Sequence, residues 1–486
     1  MSQNQTIQSL PRTLQLDVLT PDVAAKVHGQ TLKVLERVGV GIPSAEIRGG
    51  LREAGAAVDD SSQKAFFSPE LVEEALATAP GQYRLAARAR DQDLLLDGQR
   101  GYLSVDGNAP EILDWETGDR RPSTKEDLGR ISRLADGLPE IGMLWQPVTA
   151  RDVPRNVQSL HELHAQLTNT GKHIQMMTAV TPRMAAGVVE IARVVAGGAE
   201  ELRQRPIISA FQCSLSPLSY EDGALEAAKV YAEAGVPCGF VVMPISCATA
   251  PATAGGLLVQ SNAEVLAGIV ALQLLVPGAA TFYGSCATAM DLRSGAAACG
   301  GPEDLFLQMA SAQMARVYGV PSSIGTFATG AKRADWQAGL ENGLSGLASC
   351  LAGADLLCGA GLLFGARVFS PEEMVMDCEI FSLLRHLVTP AAMEIDDAIF
   401  DVIEGVGPGG HYLGAPHTLA KMRQQWMPRL FDRAAWEEWE VTGRSGPTQA
   451  AAERVRSILE NHEPPCLEEA MEMEILRIID TYERQA

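Results

Sequence analysis

From about Gly142 to Arg385 the chain repeats one grammar, a short run rich in Val, Ile and aromatics followed by a longer amphipathic stretch. The apolar runs are Met143–Val148, His173–Val180, Ile207–Cys213, Cys238–Pro244, Ala280–Ser285, Ser322–Phe327, Asp355–Phe364 and Met374–Cys378. Between them, helical periodicity covers roughly 155–170, 182–196, 219–234, 259–276, 302–318, 335–352 and 379–388. Parallel strands need crossovers of this length, so the alternation predicts parallel pairing through helices. Runs apolar on both faces suit a sheet covered on both sides. Eight runs fit a closed barrel, and the expected fold class is α/β: a (β/α)8 TIM-type barrel over 141–390. A doubly wound open sheet is the competing arrangement.

Outside that span the patterns differ. Residues 1–140 predict an N-terminal α+β elaboration. Thr20-Pro21-Asp22 caps and opens a helix to Val38, and Ser68-Pro69 repeats the device. The stretch Tyr83 to Trp115 alternates in part and predicts short antiparallel hairpins, and Ser123-Thr124-Lys125-Glu126-Asp127 opens another helix. Residues 391–486 predict a C-terminal helical extension: Met393–Ile403, Ala434–Thr442, Thr448–Asn461 and Leu467–Ala486, with a Gly-rich loop at 405–412.

Several function classes are disfavoured. A formal net charge of -21 repels nucleic acid and anionic membrane while attracting cations, so neither is expected as a partner. The first residues lack the basic start and apolar core of an export signal, and no long uninterrupted apolar run predicts a membrane span. Nine scattered cysteines without a CxxC pair read as reduced thiols in the cytoplasm. His161 and His164 sit at i, i+3 rather than in HExxH, and no protein-bound metal is expected. Gly405, Gly407, Gly409 and Gly410 do not follow a strand and do not form GxGxxG, and no Walker sequence occurs.

Reactive groups of such barrels lie past the C-terminal ends of the strands. Those positions read Gln212-Cys213-Ser214-Leu215-Ser216-Pro217, Pro244-Ile245-Ser246-Cys247, Tyr283-Gly284-Ser285-Cys286 and Gly325-Thr326-Phe327-Ala328-Thr329. Small residues dominate, which suits close approach of a large flat partner. Acids and bases are few: Lys172, Lys332, Asp335 and Glu341, with Asp377 and Glu379 near the eighth run. Each is equally a surface charge or helix cap. Hydrolysis or aldol cleavage needs a positioned acid, base or imine-forming lysine, so the shortage disfavours them.

Taken in order, several segments resemble the trimethylamine methyltransferase family, including members that lack pyrrolysine and act on quaternary amines such as glycine betaine. They are Asn169-Thr170-Gly171-Lys172-His173, Leu215-Ser216-Pro217-Leu218, Met243-Pro244-Ile245 through Ala250-Pro251-Ala252-Thr253, Gln260 through Gly268, Tyr283-Gly284-Ser285, Asp335 through Glu341, and Val406 through Tyr412 with His417-Thr418. The resemblance runs from about residue 15 to the last helix. It implies a barrel that presents a methylated amine to a corrinoid (cobalamin), free or carried by a small partner protein. The methyl group would pass in line to cobalt(I), and a neutral amine would leave. Founding members carry pyrrolysine in what looks like the region 326–332, where this chain has only standard residues; its role is not carried over to Lys332.

A quaternary nitrogen leaves without a proton, so the departure and the scarcity of acids both favour a quaternary, betaine-like donor over a tertiary amine. A tertiary-amine or sulfonium donor, or a non-catalytic betaine-binding barrel, are the alternatives. Aromatic faces suit such a cation, and Trp145, Phe211, Tyr283, Phe327, Phe364 and Tyr412 are candidates. Lys332, Arg333, Gln337 and His411 are candidates for holding a substrate carboxylate. The expected substrate-binding set is Tyr283, Phe327, Lys332, Gln337, Glu341, His411 and Tyr412. Ser214, Ser246, Ser285 and Thr326 are expected to face the corrinoid, and no catalytic residue is assigned. The terminal helices predict a homo-oligomer.

Overall fold

Eight parallel strands close on themselves in the computed structural model, which describes residues 6–389, 395, 398–443 and 446–485. In chain order they are β1 (Arg100–Val105), β2 (Ile141–Trp145), β3 (His173–Met176), β4 (Ile208–Leu215), β5 (Cys238–Val242), β6 (Tyr283–Ser285), β7 (Ser322–Gly325) and β8 (Leu356–Ala360). Each pairs in parallel with the next, and β8 returns to β1 with Leu357 opposite Leu103, closing the cylinder. A helix follows every strand: α1 (Lys125–Asp136), α2 (Gln158–Leu167), α3 (Pro182–Ala196), α4 (Ala224–Glu233), α5 (Ala254–Leu275), α6 (Pro302–Val317), α7 (Trp336–Ala352) and α8 (Pro371–Val388). The open-sheet alternative is excluded by this closure.

Two strand assignments differ from the sequence reading. The barrel opens at β1, inside the 1–140 stretch read as an elaboration with only antiparallel hairpins. A true hairpin precedes it, Tyr83–Leu85 with Leu94–Leu96. At the other end, Met374–Cys378 is not a strand but part of α8. Ser370 caps that helix by accepting from Glu373 N, and Pro371 occupies its first turn, the same signature as Thr20-Pro21 and Ser68-Pro69.

α5 is apolar all round because it is covered on all sides. It packs against barrel strands β5 and β6 and against the N-terminal helices Pro21–Arg37 and Pro69–Thr78. It is the one helix among the described residues long and apolar enough to cross a membrane, and 83% of its apolar window is buried. C-terminal helices Pro447–Asn461 and Glu469–Arg484 pack on the outer ring, against α8 and α3. Of the expected helix 393–403, a helix is present at Ile399–Val406; residues 393–394 and 396–397 lie outside the described residues.

Lys172, an acid/base candidate in the sequence, is a structural residue. It lies just before β3, at the end of the barrel opposite the strand C-termini, and is 1% exposed. Its Nζ donates to the carbonyls of Ala135 (2.7 Å), Leu138 (2.6 Å) and Ile141 (2.7 Å), which end α1 and start β2. Burial lowers its pKa to about 8, with Asp136 opposing. Lys172→Met is expected to leave these carbonyls without a donor and to cost about 2–3 kcal/mol. Urea denaturation checks this; an unchanged midpoint would contradict it.

Candidate functional site

The C-terminal ends of all eight strands converge on one cavity of ≈160 Å³. Asp106 and Gly107 follow β1, Trp145 ends β2, and Met177 follows β3. β4 supplies Phe211, Cys213 and Ser214; Val241 and Met243 come from β5, and Cys286 and Thr288 from β6. Gly325 and Ala328 close it on the β7 side, and Leu362, Gly365 and Ala366 on the β8 side. Cys299 and Asp304 enter from the loop after β6 and the first turn of α6.

Trp145 and Phe211 form an aromatic wall, their ring centroids 4.5 Å apart at 43°. Both were aromatic candidates. Small residues set the shape: a Cβ on Gly325 would meet Cys286 Sγ at 2.7 Å. Gly107, with φ +117°, turns the chain inward directly after β1, where a Cβ would collide with Leu362.

Two carboxyls in this cavity were missed in the sequence, and they overturn the expectation that the barrel mouth lacks acids. Asp106 is 5% exposed, and burial pushes its pKa up to about 8, offset only by the Gly107 backbone N–H. Its charge is felt by the thiols of Cys213, Cys286 and Cys358, whose pKa values burial also raises. Asp304 is pushed to about 7, first by burial and further by Glu341, although Gly300 N (2.9 Å) and Gln308 Nε2 (3.1 Å) donate to it. Among the described residues no Lys, Arg or His lines the cavity. Among the described residues neither carboxyl has a cationic partner.

The substrate candidates fall mostly elsewhere. Tyr283 points into the helix layer, where its hydroxyl donates to Asn262 Oδ1 (3.1 Å) and its ring stacks on Tyr318. Phe327 is fully buried behind β7 and β8, against Gly346 and Gly359. Lys332 is exposed; its Nζ donates to Gly330 O (2.6 Å) and lies 4.8 Å above the Phe364 ring. Gln337 donates to Glu341 Oε1 (2.8 Å), and Glu341 also accepts from Thr329 Oγ1 and Gly330 N, tying down the loop after β7. Glu341 is thus adjacent to the site through Asp304. His411 and Tyr412 are exposed in the C-terminal segment and do not line the cavity.

Of the corrinoid-facing candidates, Ser214 lines the cavity and Ser246 is buried in the loop beyond β5, its N–H donating to Thr288 O (3.0 Å). Ser285 and Thr326 face the helices instead, bonded to Ser311 and Ser349. Ser214 is held by Glu264 of α5, whose carboxylate accepts from Ser214 Oγ (2.5 Å), Ser216 Oγ (2.6 Å), Leu218 N (3.0 Å) and Gln260 Nε2 (3.0 Å). The remaining acids do structural work: Asp335 caps α7, Glu379 accepts from Arg429 N and Leu430 N, and Asp377 is bonded to Asn342 and Gly361 N. Among the described residues no group of His, Cys, Asp and Glu is arranged to hold a metal ion.

The family model described as "Trimethylamine methyltransferase (MTTB)" matches residues 1–486. The chain belongs to the trimethylamine methyltransferase family. It is 34% identical to trimethylamine methyltransferase MttB of Desulfitobacterium hafniense (strain DSM 10664 / DCB-2) over 94% of this chain and 92% of that one. It is 33% identical to glycine betaine methyltransferase of D. hafniense (strain Y51), over 97% of this chain and 98% of that one. Among solved structures, the Methanosarcina barkeri monomethylamine methyltransferase superposes with a TM-score of 0.48 at 12% identity, covering 91% of this chain and 92% of that one. The family is one of methyltransferases, and this chain is one of its enzymes.

The raised carboxyls set a pH dependence. An Asp whose pKa rises from 3.8 unfolded to about 8 folded keeps a proton that the unfolded chain releases, so its contribution to stability falls as pH rises through that window. Asp304 acts in the same sense up to about 7. Asp106→Asn is therefore expected to gain stability over the parent by a few kcal/mol between pH 5 and about 8.5, read as the difference in Tm. A pH-independent difference would contradict this assignment.

Proposed function

We propose that this enzyme takes a methyl group from a small quaternary amine and delivers it to the cobalt(I) of a corrinoid carried by a partner protein. The observation that carries the reading is the ≈160 Å³ cavity, with an aromatic wall and two carboxyls that no protein cation neutralises. A cavity of about 150 Å³ takes a guest the size of benzene, which is the scale of a small methylated amine. A monocation entering it offsets the charge of one ionised acid while the other can keep its proton, and gains cation–π contact with Trp145 and Phe211. The quaternary nitrogen departs with its electron pair as a neutral amine, so the chain need supply no proton.

A corrinoid would supply the cobalt(I) nucleophile for the methyl carbon. The residues at the mouth suit a broad flat neighbour. Gly325, Ala328, Gly365 and Ala366 keep one side low, while Val180, Leu215, Met243 and Leu292, which follow β3 to β6, are exposed apolar side chains at the same end of the barrel. Orientation of methyl and leaving nitrogen by the cavity wall then provides the rate. A protonated tertiary amine is the second reading, because Asp106 could accept its N–H. All nine cysteines are free, which supports a reducing, cytoplasmic setting. Exposed Trp336, Leu340 and Leu344 along α7 support self-association.

Mixing the enzyme with cob(I)alamin and a panel of quaternary, tertiary and sulfonium donors tests the reading. Consumption of cob(I)alamin with a quaternary donor is expected, and consumption only with tertiary amines would overturn it. Trp145→Ala and Phe211→Ala are each expected to raise the cation's apparent Kd about 3- to 30-fold. Tyr412→Ala, away from the cavity, should leave it unchanged; the opposite pattern would move the site.

A further inference from the structure

The substrate class can be narrowed by what surrounds the amine. A betaine carries a carboxylate as well as its quaternary nitrogen, and a site for it needs a cation or an array of donors facing that carboxylate. The side chains that the sequence offered for this are engaged or remote. Lys332 Nζ is bonded to Gly330 O (2.6 Å), Gln337 to Glu341 (2.8 Å), and Arg333 and His411 are exposed away from the cavity. Among the described residues the cavity has no cationic side chain at all, while Asp106 and Asp304 give it two acids. Above about pH 8, where both have lost their protons, a substrate carboxylate would enter a confined apolar space already holding two groups of its own sign.

We propose, building on the reading of this cavity as the amine site, that the substrate is a quaternary ammonium cation without a carboxylate, of the tetramethylammonium or choline class. Asp106 and Asp304 set that choice. They provide the counter-charge for a monocation and oppose a zwitterion, so selectivity comes from repulsion as well as attraction. The cavity of ≈160 Å³ is on the scale that takes benzene, and choline and glycine betaine differ by a single heavy atom, so charge rather than size makes the choice. Burial raises both carboxyls, so cation binding draws off their protons and tightens with rising pH.

Titration calorimetry on the full chain without corrinoid, at pH 9 and low salt, tests this with tetramethylammonium, choline and glycine betaine. The parent is expected to bind tetramethylammonium or choline about 100-fold more tightly than glycine betaine. Asp106→Asn should weaken the two cations about 10-fold or more while leaving betaine unchanged or tighter. Asp304→Asn should shift selectivity in the same direction, and it keeps the test informative if the first variant folds poorly. Equal binding of betaine and cations by the parent, or equal losses for both in the variants, would overturn the proposed selectivity while leaving the amine site standing. No binding of any of the three would overturn the amine-site reading itself.

Discussion

A buried carboxyl without a cation beside it is costly, because ionisation in an apolar setting forfeits hydration that nothing replaces. The mouth of this barrel holds two such groups, Asp106 and Asp304, in one small cavity. Several buried charges elsewhere are partnered by an opposite charge or by several hydrogen bonds. Asp355 pairs with Arg12 and accepts from Ser322; Asp136 accepts from His462, Thr170 and Gly171; Lys172 is surrounded by three carbonyls. Glu162 and the Glu373–Asp377 pair are also buried without a cation, but they are hydrogen-bonded within the helix layer; Asp106 and Asp304 instead line the cavity, which marks it as the place where charge is supplied from outside.

The architecture explains how they are held. Closure of β8 onto β1 places Asp106 at the strand end, and Gly107 turns the chain back over the cavity against Leu362. Asp304 is fixed by the first turn of α6, where Gly300 N and Gln308 reach it, and Glu341 of α7 braces the adjacent loop. Glu264 of α5 anchors the end of β4, so Ser214 and the aromatic wall beside it keep their position. A rigid helix ring thus orients a cavity that makes few hydrogen bonds of its own.

Most of the barrel was legible because each β/α unit writes its own local pattern: seven strands and the helices between them follow the apolar runs closely. β1 was not legible as a barrel strand. Its partners are β2 and β8, and nothing in Gly101-Tyr102-Leu103-Ser104-Val105 distinguishes parallel pairing with a strand some 250 residues away from one more local hairpin. Misplacing it hid Asp106, which the strand-end rule would otherwise have exposed. Asp304 reads as an ordinary acid in a helix's first turn, a common stabilising feature. Met374–Cys378 is apolar as a strand would be, but Ser370-Pro371 followed by Glu372 and Glu373 was the signal for a helix. Tyr283, Ser285 and Thr326 sit on the right strands or strand ends yet face outward, a distinction set by a one-residue alternation in very short strands.

The central claim is that the two acids and the Trp145–Phe211 wall together form a site for a methylated cation. Diffraction from crystals soaked in tetramethylarsonium tests it most directly, because the arsenic atom can be located by its anomalous scattering. One strong peak between Asp106, Asp304 and the Trp145–Phe211 wall is the expected result. A cavity without that peak at saturating ligand, or a peak only at another site on the barrel, would contradict the account.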